Sequence, residues 1–145
     1  MVCRRGCSDC CVNLSVFPVE FYSILDYVGR EKIALEFSHE RACGFLDQHG
    51  ACSIYSYRPI ICRTHGLPIV FHEEQNGEMV GNVSFCELNF KDIDETFIFD
   101  KFNTLNIDSL NDELFAVNLE FIKNNSELGF DLTSRIPLAA ITDFA

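Results

Sequence analysis

Residues 3–11 read CRRGCSDCC, four cysteines in nine residues, and residues 43–63 read CGFLDQHGACSIYSYRPIICR, with three more. The eighth, Cys86, stands alone. A chain of 145 residues can bury a core without staples, so size does not call for this density of thiols. Cysteines clustered this way point to sulfur ligands drawn onto metal, with the fold forming around it. Zinc and an iron–sulfur cluster both take four thiolates, so eight suffice for two sites, or for one site with cysteines to spare. Cys7 and Cys10 form the close pair typical of a ligand turn, and Cys52 and Cys62 can supply partners. Cys10 and Cys11 are adjacent. In an extended loop their side chains diverge, which makes it hard for both to close one tetrahedral site and hints at different sites.

A disulfide framework would use eight cysteines as well, but it belongs to secreted chains. Met1-Val2-Cys3 leaves no room for a secretory signal, and no run of about 18 apolar residues exists to span a membrane. The expectation is a cytoplasmic chain with reduced thiols, where the pattern reads as metal binding. A net charge of -11 argues against nucleic acid and against an anionic membrane surface. The charge is uneven. Residues 1–66 carry seven acids and seven bases, whereas residues 67–145 carry 15 acids and four bases. The thiols therefore lie in an arginine-supplied half, whose guanidinium groups can offset a negative thiolate site.

Outward from the thiols, Phe21, Ile24, Leu25 and Val28 recur at helical spacing after Pro18, predicting a helix from Pro18 to Val28 that stops at Gly29. A second short helix is expected over Glu31 to Phe37. Phe45-Leu46, the polar turn Asp47–Gly50 and Ile54-Tyr55 read as a hairpin, followed by a bend at Pro59 and a single turn carrying Cys62. Leu67 to Phe71 and Met79 to Phe85 read as a second hairpin about Asn76-Gly77, delivering Cys86 at its end. Ser109 and Asp112 suggest a capping box, and Leu110, Leu114, Val117 and Phe121 an apolar stripe on a helix to about Asn125. Phe97, Phe99 and Phe102 are expected to pack under it. The tail from Leu128 is apolar enough to dock, with a short helix after Pro137.

The blocks CRRGCSDCC, CGFLDQHGACSIYSYRPIICR and FCELNF (residues 85–90) together resemble the YkgJ-like cysteine-cluster family, characterised by a CxxCxxCC motif and by chelation of zinc or iron. The resemblance rests on the cysteine doublet, the C-x-F-L lead, the C-x-I-Y-x-x-R-P-x-x-C-R block and the late cysteine, and spans roughly residues 3–90. One departure is the three-residue gap between Cys3 and Cys7, where the motif has two. The resemblance implies that Cys3, Cys7, Cys10, Cys11, Cys43, Cys52, Cys62 and Cys86 are metal ligands. Arg58, Pro59 and Arg63 then support them without binding metal. Longer relatives include flagellin lysine-N-methylases, which carry an iron–sulfur cluster in this block. Protein or peptide modification with such a cluster is therefore one functional expectation, and a structural zinc module that docks a partner through its acidic face is another.

Cys3-x3-Cys7-x2-Cys10 is also similar to the cluster loop of radical S-adenosylmethionine enzymes, but only Met1 and Val2 precede it where a barrel strand belongs. His65, three residues past Cys62, could replace a thiolate, although a satisfied loop histidine is the simpler reading. His39, His49 and His72 read as solvated. The expectation is one α+β domain over residues 1–145, small, cysteine-rich and organised by metal. Residues 1–90 bind the metal, with β-hairpins, and 91–145 form an acidic C-terminal helical cover. Its cofactor would be an iron–sulfur cluster, of 4Fe-4S type, or zinc, at one or two sites.

Overall fold

The computed structural model describes residues 4, 6–35, 37–38, 40–94 and 96–144. It is an α+β chain, as expected, dividing into two compact units: Arg4–Arg63 with Ala116–Ala145, and a second containing Thr64–Phe115. Cys3 and His39 lie outside the described residues. Among the described residues, no helix is long and apolar enough to cross a membrane.

The first unit is built on helix α1 (Pro18–Glu31). Pro18 occupies its first turn, where a missing N–H costs nothing, and Phe21, Ile24 and Val28 are buried. The helix runs through Gly29 and ends where Lys32 turns left-handed (φ 51°), its N–H meeting the Gly29 and Val28 carbonyls. Glycine inside a helix costs only about 1 kcal/mol, so Gly29 does not enforce a stop. The helix expected over 31–37 does not form. Ile33, Leu35 and Phe37 instead pack on the core from an irregular segment, since three large side chains at alternating positions reach one surface without helical spacing.

Strand β1 (Ser15–Val16) pairs antiparallel with β5 (Ile136–Pro137), and the 3-10 turn Leu138–Asp143 buries Leu138 and Ile141 in the same core as Phe45 and Ile54. The tail thus docks as its sequence implied. From the later part of α4 (Ile107–Asn124), Phe121 packs against Tyr22 with the rings tilted 32°. Val117 of the expected stripe is 55% exposed, and the neighbouring Asn118 is buried instead. The reason is polar: Asn118 Oδ1 accepts the Val19 N–H at 3.2 Å, one of the donors a helix start leaves without an internal partner.

In the second unit, β2 (Ile69–Gln75) and β3 (Glu78–Ser84) form the expected hairpin. Asn76 (φ 54°) and Gly77 (φ 85°) are both left-handed, as a type I′ turn requires. Strand β4 (Leu105–Asn106) adds in parallel to β2. Helix α4 begins at Ile107 because Asn106 Oδ1 accepts the Ser109 N–H at 3.0 Å; Asn106, not Ser109, is the cap. His72 is not simply solvated, since Asp108 accepts from its ring and its backbone, at 2.8 and 3.0 Å. Phe99 packs on Phe85, Phe90 and Phe97, while Phe102 is 85% exposed and meets the Lys101 ammonium, 5.0 Å from its ring centroid, and not the helix. Cys86 precedes the short helix α3 (Glu87–Phe90).

Candidate metal centre

Cys7, Cys10 and Cys11 ride on two successive turns, closed by Cys7 N–H to Arg4 O and Cys11 N–H to Ser8 O, each 2.9 Å. This loop lies hard against the turn at Gly50. A Cβ there would sit 3.1 Å from Gly6 O and 3.2 Å from Ser8 Oγ, and φ is +72°, so glycine is required on both counts. Asn13 makes a second clamp. Its N–H donates to Ala42 O at 2.9 Å and its Oδ1 accepts the Gly44 N–H at 3.0 Å, gripping both neighbours of Cys43 two residues after Cys11.

The expected hairpin at 45–55 is reduced to one bridge, Leu46 opposite Cys52. Asp47 Oδ1 takes the His49 and Ala51 N–H groups at 2.7 and 2.9 Å, and Tyr55 enters a 3-10 turn (Tyr55–Tyr57) instead of a strand. The local bonds Leu46 N–H to Cys43 O and Ser53 N–H to Phe45 O hold Cys43 and Cys52 on facing sides of this loop, both packed against the core. The Arg41 guanidinium ties the same loop by donating to the Leu46 carbonyl. Gly44 allows the Phe37 ring to lie where a Cβ would stand.

Cys62 is carried by helix α2 (Ile60–Thr64). Glu20 Oε1 accepts the Ile60 N–H at 2.8 Å, fastening the start of α2 to α1. Arg63 donates to Arg58 O at 2.7 Å and Ser56 O at 2.8 Å, folding the approach to α2 back on itself, and Arg58 stacks over Tyr55, 3.8 Å from the ring centroid. Arg63 therefore holds the loop, and Arg58 supplies charge.

The thiols feel one another. Burial pushes Cys11 up to about 11, helped by the charges of Cys10, Cys43 and Cys52 and by a hydrogen bond with Cys10. Burial likewise pushes Cys62 up to about 12, with Cys43, Cys52 and Cys11 adding and Arg58 opposing. Cys52 is raised first by burial, while the Ile54 N–H bonded to its sulfur pulls back, Cys43 raises it, and Arg58 lowers it. Five cysteines thus form one electrostatic group: Cys10, Cys11, Cys43, Cys52 and Cys62. Cys10 is exposed, unlike the half-buried Cys11 beside it. Cys7 is half-buried on the same loop, and Cys86 belongs to the second unit. None of the seven described cysteines is in a disulfide. Burial lowers the pKa of His65, keeping that ring neutral.

Among the described residues, no group of three or more His, Cys, Asp or Glu side chains is gathered tightly enough to hold a metal ion. Cys11, Cys43, Cys52 and Cys62 nonetheless lie within electrostatic range of one another. The donor set still suits the group: four thiols on one unit, an N–H directed at one sulfur, and a guanidinium to offset charge, which matches zinc or an iron–sulfur cluster. Sequence reasoning missed Asn13, Glu20 and Gly44. A polar residue two positions after the doublet was the available signal for the first.

A family model named CxxCxxCC, described as "Putative zinc- or iron-chelating domain", matches residues 2–87, a span that takes in all eight cysteines. No curated protein and no solved structure matches the chain.

Proposed function

Because the chain belongs to the CxxCxxCC family of zinc- or iron-chelating domains, we propose that Cys11, Cys43, Cys52 and Cys62 are the four sulfur ligands of its metal centre. The observation that carries this reading is the mutual electrostatic influence of thiols up to 51 positions apart, with Cys43 and Cys52 packed against the core and held by the Asn13 clamp and the Leu46–Cys52 bridge. The metal, zinc or an iron–sulfur cluster, supplies the positive charge that four thiolates require. Cys10 is exposed, hydrogen-bonded to Cys11, and lies outside the four. Seven described cysteines without disulfides suit a reducing compartment such as the cytoplasm.

Binding draws the irregular segments 6–13 and 42–62 together and so adds to folding. Arg58 moderates the negative charge left by four thiolates, and the Ile54 N–H fixes the Cys52 sulfur. Anaerobic purification followed by metal and acid-labile sulfide analysis tests the reading. A brown protein with sulfide matching iron identifies a cluster, and a colourless protein with stoichiometric zinc identifies a zinc centre. Eight titratable thiols in freshly isolated, metal-free protein would sink both.

A further inference from the structure

In the second unit, two bulky apolar side chains are held out in solvent by a loop with its own hydrogen-bond frame. Ile98 is 75% exposed and Phe102 is 85% exposed. Asn103 donates through Nδ2 to the Ile98 carbonyl at 2.9 Å and accepts the Asp100 N–H through Oδ1 at 2.8 Å. Asp100 Oδ1 takes the Phe102 N–H at 2.8 Å, and the Thr104 hydroxyl donates to the Asp100 carbonyl at 2.6 Å. Between the two exposed side chains, Phe99 turns inward onto Phe85 and Phe90, anchoring the loop. A fixed loop that displays an aromatic and an aliphatic side chain has the form of an interface anchor.

The charge around the loop selects the partner. Residues 64–115 contain eleven acids and two bases, Lys91 and Lys101, with Asp92, Asp94 and Asp100 on or beside the loop. An anionic bilayer is repelled by such a surface. A second copy brings the same sign of charge, because residues 4–63 with 116–145 also hold more acids (eleven) than bases (nine). We propose that Ile98 and Phe102 anchor a basic amphipathic segment of a partner protein, whose apolar face takes both side chains while its lysines and arginines meet the surrounding aspartates. This docking surface belongs to the second unit and the thiol group to the first, and the proposal does not depend on which metal is bound.

The test uses the full-length chain as purified and a fluorescein-labelled helical peptide of leucine and lysine, with a leucine–glutamate peptide of the same pattern as control. The lysine peptide is expected to bind saturably. Its affinity should drop by about tenfold or more in the Ile98→Ser, Phe102→Ser double variant. It should also weaken by about tenfold between about 50 and about 300 mM salt. Both side chains are exposed, so unchanged metal content and circular dichroism verify that the variant is folded. No saturable binding, unchanged affinity in the variant, or equal binding of the glutamate peptide overturns the proposal. A wild-type dimer in sedimentation equilibrium that the double variant dissolves overturns it too, since the anchors would then serve a second copy.

Discussion

The two units differ most in what they bury. All ten buried hydrophobic residues found among the described residues, from Val16 to Ile141, belong to the first unit, whereas in the second Thr64 alone is buried. The hairpin unit is ordered by its backbone ladder, by caps such as Asn106 and by a half-buried phenylalanine cluster. This unit carries Cys86 but none of the five mutually interacting thiols. The interacting thiols stand instead beside the hydrocarbon core, on segments with almost no regular structure. In the proposed reading, metal and core divide the work inside one unit: the core fixes α1 and the docked tail, and the metal fixes the loops.

The sharpest way to test that division is pH. The folded chain keeps Cys11 and Cys62 protonated to about 11 and about 12, mainly through burial, so each ligating thiol must release a proton when metal enters. Apparent affinity should therefore rise with pH, by up to about 1.4 kcal/mol per pH unit for each thiol that ionises. Competition with a chelator across neutral pH measures the slope, and a flat profile would remove these thiols from the ligand set. The core side predicts the next largest effect. Phe21→Ala should cost about 3–5 kcal/mol in urea unfolding, while Phe102→Ala in the other unit should stay within about 0.5 kcal/mol. Comparable losses would erase the contrast between the units.

Gly44→Ala probes the seam between core and thiols. The new methyl meets the Phe37 ring, so a cost of about 1–3 kcal/mol is expected, together with weaker metal retention as Cys43 shifts. Stability lost with metal retention unchanged would separate the two roles. The smallest effect is at Asp131, held below the usual carboxylate range by the Thr133 hydroxyl, then the Ser134 hydroxyl. A lowered folded pKa adds stability above the unfolded value and loses it as pH falls through the folded one. Asp131→Asn should thus lower the urea midpoint slightly near neutrality and not at all in strong acid.

Much of this was legible in the sequence because it rests on local rules. Asn76-Gly77 dictated its turn, Pro18 its helix start, and the apolar spacing from Phe21 to Val28 its buried face. What was not legible depended on distant partners. Gly29 looked like a stop, but the terminating left-handed residue is Lys32. Val117 fitted the stripe better than Asn118, yet the Val19 N–H, 99 positions away, made the polar residue the buried one. Ile54 and Tyr55 had strand character, and the Arg58–Arg63 loop behind them curls the chain into a 3-10 turn. The cysteine clusters announced metal chemistry, while the contact between their loops hangs on Asn13, marked only by its place after the doublet, and on Gly50, whose need for glycine shows only once the loops meet.

Metal content of two cysteine variants beside the wild type tests the ligand assignment most directly. The Cys43→Ser, Cys52→Ser double variant should emerge from anaerobic purification without bound zinc or iron, while Cys86→Ser retains the wild-type amount. Full metal in the double variant, or its loss from Cys86→Ser alone, would contradict the assignment.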